Sequence, residues 1–173
     1  MTFRVLLVVV GATVTAALPA RAQKRGSVEV GAFLAYLNAD NSLPVGSALG
    51  FGGRVGVNPL PFLAVELDFA SASKNGAGYR PLHVWVVYDV PSTSLSEVFA
   101  GIGLVRNTYT GNYKANDTGV AGQVGVRHRF GKMLALRVDG HADFMPSAAN
   151  KSYLVSYNGN WGVGVGVSAL LKR

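Results

Sequence analysis

The stretch Leu134–Phe144, LALRVDGHADF, places Arg137, Asp139, His141 and Asp143 on alternate residues. An arginine, two carboxylates and an imidazole could hold a metal, move a proton, or neutralise one another. His141 and Asp143 with Ser147 supply the residue types of a Ser-His-Asp set. But a histidine and an aspartate two apart on one strand compete for the same layer, and Ser147 falls in a loop. As metal ligands, Asp139, His141 and Asp143 would be strung along about 13–14 Å of extended chain at about 3.4 Å per residue. Three ligands so spaced converge poorly on one ion. His83, two residues from Trp85, reads as a packing and hydrogen-bonding histidine. No catalytic residue, cofactor site or metal site is expected, and the four residues read as part of a charged filling.

The element that must position them is a strand, because strict alternation of apolar and polar residues is the period of extended chain. Eight such segments recur, at 27–37, 49–57, 63–70, 80–88, 98–106, 119–130, 134–144 and 161–171. The breaks at 38–48, 71–79, 107–118 and 145–160 are long. Those at 58–62 and 131–133 are short, and 89–97 is intermediate. Alternating short and long connections are those of an up-and-down barrel with loops at one end. No run of the mature chain is apolar for the 18 or so residues a membrane helix needs.

One face of these strands is aliphatic, with Tyr36, Phe69, Tyr88, Phe130, Phe144 and Trp161 towards strand ends. The other carries Gly31, Gly50, Gly52, Gly56, Gly101, Gly103, Gly125, Gly162, Gly164 and Gly166. Glycine weakens a water-facing strand and gains nothing there. Inside a narrow barrel it makes room for bulky side chains opposite. The aliphatic face therefore points to lipid, and closing the sheet leaves no unpaired edge in hydrocarbon. The expected fold is all-β, an eight-stranded antiparallel up-and-down transmembrane β-barrel with long loops at one end and short turns at the other.

With faces assigned so, the lumen gathers five acids, Glu29, Glu66, Asp68, Asp139 and Asp143, and four arginines, Arg54, Arg127, Arg129 and Arg137, beside His141. Buried charges must be paired, and the planar fork of arginine can hold two carboxylates. Arg54 is expected to sit between Glu29 on one neighbouring strand and Glu66 and Asp68 on the other. Arg127 and Arg129 are expected to face Arg137, Asp139 and Asp143 across the tight 131–133 turn.

Composition narrows the setting. The 173-residue chain has no cysteine, so disulfides and cysteine chemistry are excluded. Only 14% of residues are charged against 49% hydrophobic, low in charge for a soluble domain. Residues 1–22 have the layout of a cleavable secretory signal: Arg4, an apolar run, Pro19 and the small-x-small site Ala20-Arg21-Ala22. The barrel domain then covers 23–173. Losing Arg4 and Arg21 lowers the formal net charge from +7 to +5. The remaining basic residues are scattered, which argues against nucleic acid and suits anionic lipid head groups.

The signal segment, the eight staves, the hairpin GVRHRFGKMLALRVDGHADF and the last strand WGVGVGVSALL together resemble the outer-membrane β-barrel domains of the OmpA/OmpX type. The resemblance spans nearly all of the mature chain. It implies a place in the outer membrane of a diderm bacterium, a polar and often closed lumen, and porin-like architecture serving the cell envelope, adhesion or surface contact. The partners it implies are outer-membrane lipid and lipopolysaccharide, the barrel-assembly machinery during insertion, and an unidentified extracellular ligand at the long loops. Two features depart from the family. The chain ends Leu171-Lys172-Arg173 where members often end on an aromatic residue, and no peptidoglycan-binding domain is expected after the barrel.

A non-enzymatic structural or surface-interaction role follows. The competing readings are a lipid- or lipopolysaccharide-modifying enzyme with His141 or His83 as base, and a lipocalin-like carrier. The His-x-Ser-Asn arrangement of eight-stranded lipid A deacylases is absent, since Ala142, Asp143 and Phe144 follow His141. The Gly-x-Trp of a lipocalin first strand is missing as well.

Overall fold

A computed structural model of the chain describes residues 25–39, 45–90, 95–112, 114–145 and 159–171. The expected signal segment at 1–22 and Ser147 lie outside the described residues. Eight strands follow in order: β1 (Val28–Asn38), β2 (Ser47–Leu60), β3 (Leu63–Lys74), β4 (Ala77–Asp89), β5 (Ser96–Gly111), β6 (Ala115–Phe130), β7 (Leu134–Phe144) and β8 (Gly159–Leu171). Each pairs antiparallel with its sequence neighbour, and β8 pairs with β1 to close the ring. No stave is thereby left with an unpaired edge, as a sheet in hydrocarbon requires.

The loop end differs from expectation. The 71–79 segment is not a long polar loop: β3 and β4 run on to a two-residue turn, Asn75–Gly76. Both residues have positive φ, 53° and 76°, the conformation of the hairpin turn that Asn-Gly favours. Likewise 107–118 is mostly strand, with β5 reaching Gly111 and β6 beginning at Ala115. The polar residues there are strand residues beyond the apolar belt. At the other end, β2 continues through Pro59 to Leu60, with a register shift after Val57. The β3–β4 ladder is interrupted between Phe69↔Leu82 and Ala72↔Tyr79, where Pro81 has no N–H to donate.

The aliphatic face points outward. Leu34, Leu49, Phe51, Ile102, Leu104, Val124 and Val167 are all more than half exposed. Tyr36 and Trp161 meet at one rim, with ring centroids 5.7 Å apart. Phe62 and Tyr88 meet at the other, 6.1 Å apart. A stave of about 10 residues tilted about 40° spans roughly 25 Å, the height of an outer-membrane apolar band.

The glycines of the polar face, Gly52 and Gly125 among them, point inward and let neighbours in. A Cβ on Gly52 would strike the ring of Phe33, and one on Gly125 would strike the ring of Phe99. Glycine on one stave thus admits a phenyl ring from the next. The lumen is graded. Alanines, Leu37, Tyr79 and Tyr109 form a buried cluster towards the loop end, and charged side chains fill the rest.

These faces predict the outcome of three substitutions along β8. Val165 is 49% exposed and lies opposite Leu34 and Val138. Val165→Arg will destabilise the folded barrel by about 2–4 kcal/mol in a bilayer. Gly164→Ala will be near neutral, since its Cβ would meet only the Asp139 carboxylate at 3.4 Å. Gly166→Ala will be costly, since its Cβ would meet the Ala32 carbonyl oxygen and come within 2.6 Å of Phe33 Cβ. Denaturant unfolding in lipid vesicles measures all three. A harmless Val165→Arg would mean the faces are inverted.

Candidate functional site

Seven staves, β1 to β7, aim charged side chains into the lumen, and three guanidinium groups organise them. Arg54 on β2 binds Asp68 on β3 through two bonds, Nε to Oδ1 at 2.7 Å and Nη2 to Oδ2 at 2.8 Å. Its Nη2 also donates across the lumen to Asp139 on β7 at 3.1 Å. Arg137 on β7 donates through Nη1 to both oxygens of Glu66 on β3, each at 2.9 Å, and through Nη2 to Gln123 Oε1 at 3.1 Å. Arg127 on β6 reaches Asp89 at 3.0 Å and Glu29 at 3.1 Å, with Glu66 and Glu97 at 3.5 and 3.6 Å. Arg129, nearer the turn end, binds Glu97 at 2.9 Å.

These partners differ from the pairing that strand adjacency suggests. Glu29 serves Arg127, not Arg54. Arg127 and Arg129 take their carboxylates from β1, β3, β4 and β5 rather than from Asp139 and Asp143 on β7. Arg127 and Arg137 lie directly opposite on paired strands, so both long side chains cross the lumen to shared acids. Phe99 stands between them, its ring centroid 4.0 Å from the Arg137 guanidinium carbon and 5.5 Å from that of Arg127. Phe33 does the same for Arg54 at 5.2 Å. Cation–π contacts of this kind gain strength where water is excluded.

Sequence reading missed Asp89 and Glu97, which it left in a connection, and Gln123. Asp89 and Glu97 are 4% and 3% exposed. With them and Asp117, buried on the inward parity of β6, the described lumen holds eight carboxylates against four arginines, not the near balance of five against four. The signal of Asp89 and Glu97 was positional: each sits at a strand end, on the parity of the inward residues.

Asp143 and His141 belong to a separate cluster above the arginines. The Asp143 carboxylate receives His83 Nε2 at 3.0 Å, Tyr79 OH at 3.4 Å and Asn107 Nδ2 at 3.5 Å. His83 stacks on Trp85 at 4.8 Å, and His141 meets the edge of His83 at 4.9 Å. So His83 is a packing residue, as its neighbour Trp85 suggests, but it also brings β4 to the two β7 residues. A cavity of about 20 Å³, room for one water, lies against His83, His141, Arg54, Asp68 and Asp139.

The arrangement can neutralise charge and fill space. Breaking it at the closest cation of Glu66 has a predictable cost. Arg137→Ala leaves Glu66 short of its closest partner and will destabilise the barrel by about 3–5 kcal/mol. Glu66→Gln in that background will cost much less than it does alone, and the double-mutant cycle will give a coupling of about 1–3 kcal/mol. Additive losses would show that the 2.9 Å pair carries no net interaction.

No family model matches the chain, and no curated protein does. Solved structures do match in fold. The chain superposes on the outer membrane protein OprG of Pseudomonas aeruginosa with a TM-score of 0.67 at 11% identity, over 89% of this chain and 100% of that one. The N-terminal β-barrel domain of Pseudomonas aeruginosa OprF gives 0.62 at 14% identity, over 86% and 100%. Neisserial surface protein A gives 0.59 at 15%, over 85% and 96%. The fold is therefore that of the outer-membrane β-barrels.

Proposed function

We propose that this chain is a non-enzymatic outer-membrane barrel with a closed lumen, which acts through its outer surface and its loop end. The observation that carries the reading is the lumen itself. Eight strands leave an interior just wide enough for side chains, and here Arg54, Arg127, Arg137, Glu66 and Trp85 are all buried within it. A wide conducting path would need these groups to face water. Their short mutual contacts hold them against one another instead.

The outer face supports contact with membrane lipid. Arg80 and Arg106 are exposed on the outward parity of β4 and β5 at the loop end. The register pairs Arg80 with Thr108 and Leu82 with Arg106, so the two arginines are diagonal neighbours just above the apolar belt. Paired guanidinium groups at that height suit the phosphates of outer-leaflet lipid, including lipopolysaccharide. Insertion would rely on the barrel-assembly machinery. The likeness to OprG and to the OprF barrel supports the location and leaves the partner at the loop end open to experiment.

Two measurements test the proposal. In fractionated cells the protein will sediment with outer membranes and resist a high-salt wash; recovery from the soluble periplasm would defeat it. In a planar bilayer the wild type will pass almost no current, whereas Arg137→Ala will raise ion leakage. Large, stable wild-type conductance would replace the closed barrel with a pore.

A further inference from the structure

We propose that the lumen contains a transition-metal site of the zinc class, formed by His83 of β4 with His141 and Asp143 of β7. One ligand atom from each of these residues lies within 4.8 Å of the other two. His83 Nε2 is 3.0 Å from Asp143 Oδ1. The donors of a tetrahedral zinc site, with bonds near 2.0–2.1 Å, stand roughly 3.4 Å apart. One spacing is already that short. The widest needs a closure of about 1–1.5 Å, within reach of a side-chain rotation. Two imidazoles and a carboxylate, with one position left for water, is the donor set of an open zinc site. Imidazole donors favour zinc and its neighbours over calcium or magnesium.

Three further observations point to a cation at this place. His141 Nε2 is buried and has no hydrogen-bond partner among the described residues. A buried imidazole nitrogen so placed is costly unless something binds it. The water-sized cavity beside both histidines offers a fourth position, and of its other charged lining residues Arg54 is held by the carboxylates of Asp68 and Asp139. The described lumen also holds four more carboxylates than arginines, and a dication offsets half of that excess.

The surroundings orient the ligands. Tyr79 and Asn107 hold the Asp143 carboxylate, and Trp85 stacks on the His83 ring. Second contacts of this sort fix ligand direction in metal sites. The His141 ring lies over Gly162, where a Cβ would come within 2.5 Å of its Cε1, so glycine on β8 leaves the ring its space. A bound ion would tie β4 to β7 across the lumen, two staves that share no ladder.

The test uses the full chain folded in detergent micelles and stripped with a chelator. Titration calorimetry with Zn²⁺ will show one ion bound per barrel. His83→Gln and His141→Gln will each weaken binding by at least the ~10–100-fold that loss of an outer-shell partner costs. His128→Gln will leave binding unchanged, because His128 sits on the outer surface at the turn end beside Ser96. Loss of binding in His128→Gln, or equal binding in the wild type and the His83→Gln/His141→Gln double variant, overturns the site. If the histidine variants fail to fold, Trp161→Phe leaves Trp85 as the only tryptophan. In that protein Co²⁺ will quench the fluorescence, saturating at one equivalent and reversing as Zn²⁺ displaces it. No saturable quenching there overturns the proposal equally.

Discussion

Glu66 is shared by three arginines, and the lumen is arranged around that sharing. Arg137 holds it at 2.9 Å, while Arg127 and Arg54 lie 3.5 and 3.8 Å away. One carboxylate cannot neutralise three guanidinium groups, so each arginine must find further acids on its far side. Arg54 finds Asp68 and Asp139, and Arg127 finds Glu29, Asp89 and Glu97. Charge therefore alternates outward from Glu66 across the lumen. The arrangement also fixes register. Slipping β3 by one residue would turn Glu66 into lipid and bring Val65 or Leu67 among the arginines. The ion network thus selects one pairing of the staves, whatever its net contribution to stability, which for buried pairs is often small.

The glycine pattern and the arginine pattern are one device. Gly52 and Gly125 leave room for Phe33 and Phe99, and those rings lie against the guanidinium groups of Arg54, Arg137 and Arg127. A larger residue at either glycine would displace the ring, and the arginine would lose its apolar support. This explains why a face that must fill a narrow lumen carries so many residues without side chains. The volume is taken by a few large groups reaching over from neighbouring staves.

Faces and strand number were legible in the sequence because lipid demands alternation along every stave. The same signal failed where the staves leave the apolar belt. In 71–79 the residues SASKNGAGY are polar on both parities, and composition reads them as loop. The decisive mark was local: Asn75-Gly76 is a hairpin turn signature. Pairing across the lumen was not legible either, because periodicity gives the face of a residue and not its direction around the barrel. Glu29 neighbours Arg54's stave yet reaches Arg127. His83 and His141 are 58 positions apart and on staves that do not pair, so their 4.9 Å contact had no counterpart along the chain.

The lumen changes character along its length, and this bears on where the protein can act. Near the turns it is ionic, with Glu29, Asp89, Glu97, Arg127 and Arg129. Midway Arg54 and Arg137, both paired with Glu66, pack against phenyl rings. Next come the histidines, and towards the loop end Tyr79 stacks on Tyr109 at 5.4 Å beside Leu37 and a ring of alanines. In the closed-barrel reading proposed above, the aromatic and alanine layer and the ionic layer would narrow the axis by two different means. The polar groups of the aromatic layer, the Tyr79 and Tyr109 hydroxyls with Asn107, Asn160 and Asp143, bond to one another. A hydrophobic solute entering from the loop end meets buried charges below. Most of the interior is thus taken up by side chains that pack and pair with one another, and the outward belt with its arginines and the loop end are the surfaces the barrel presents to its surroundings.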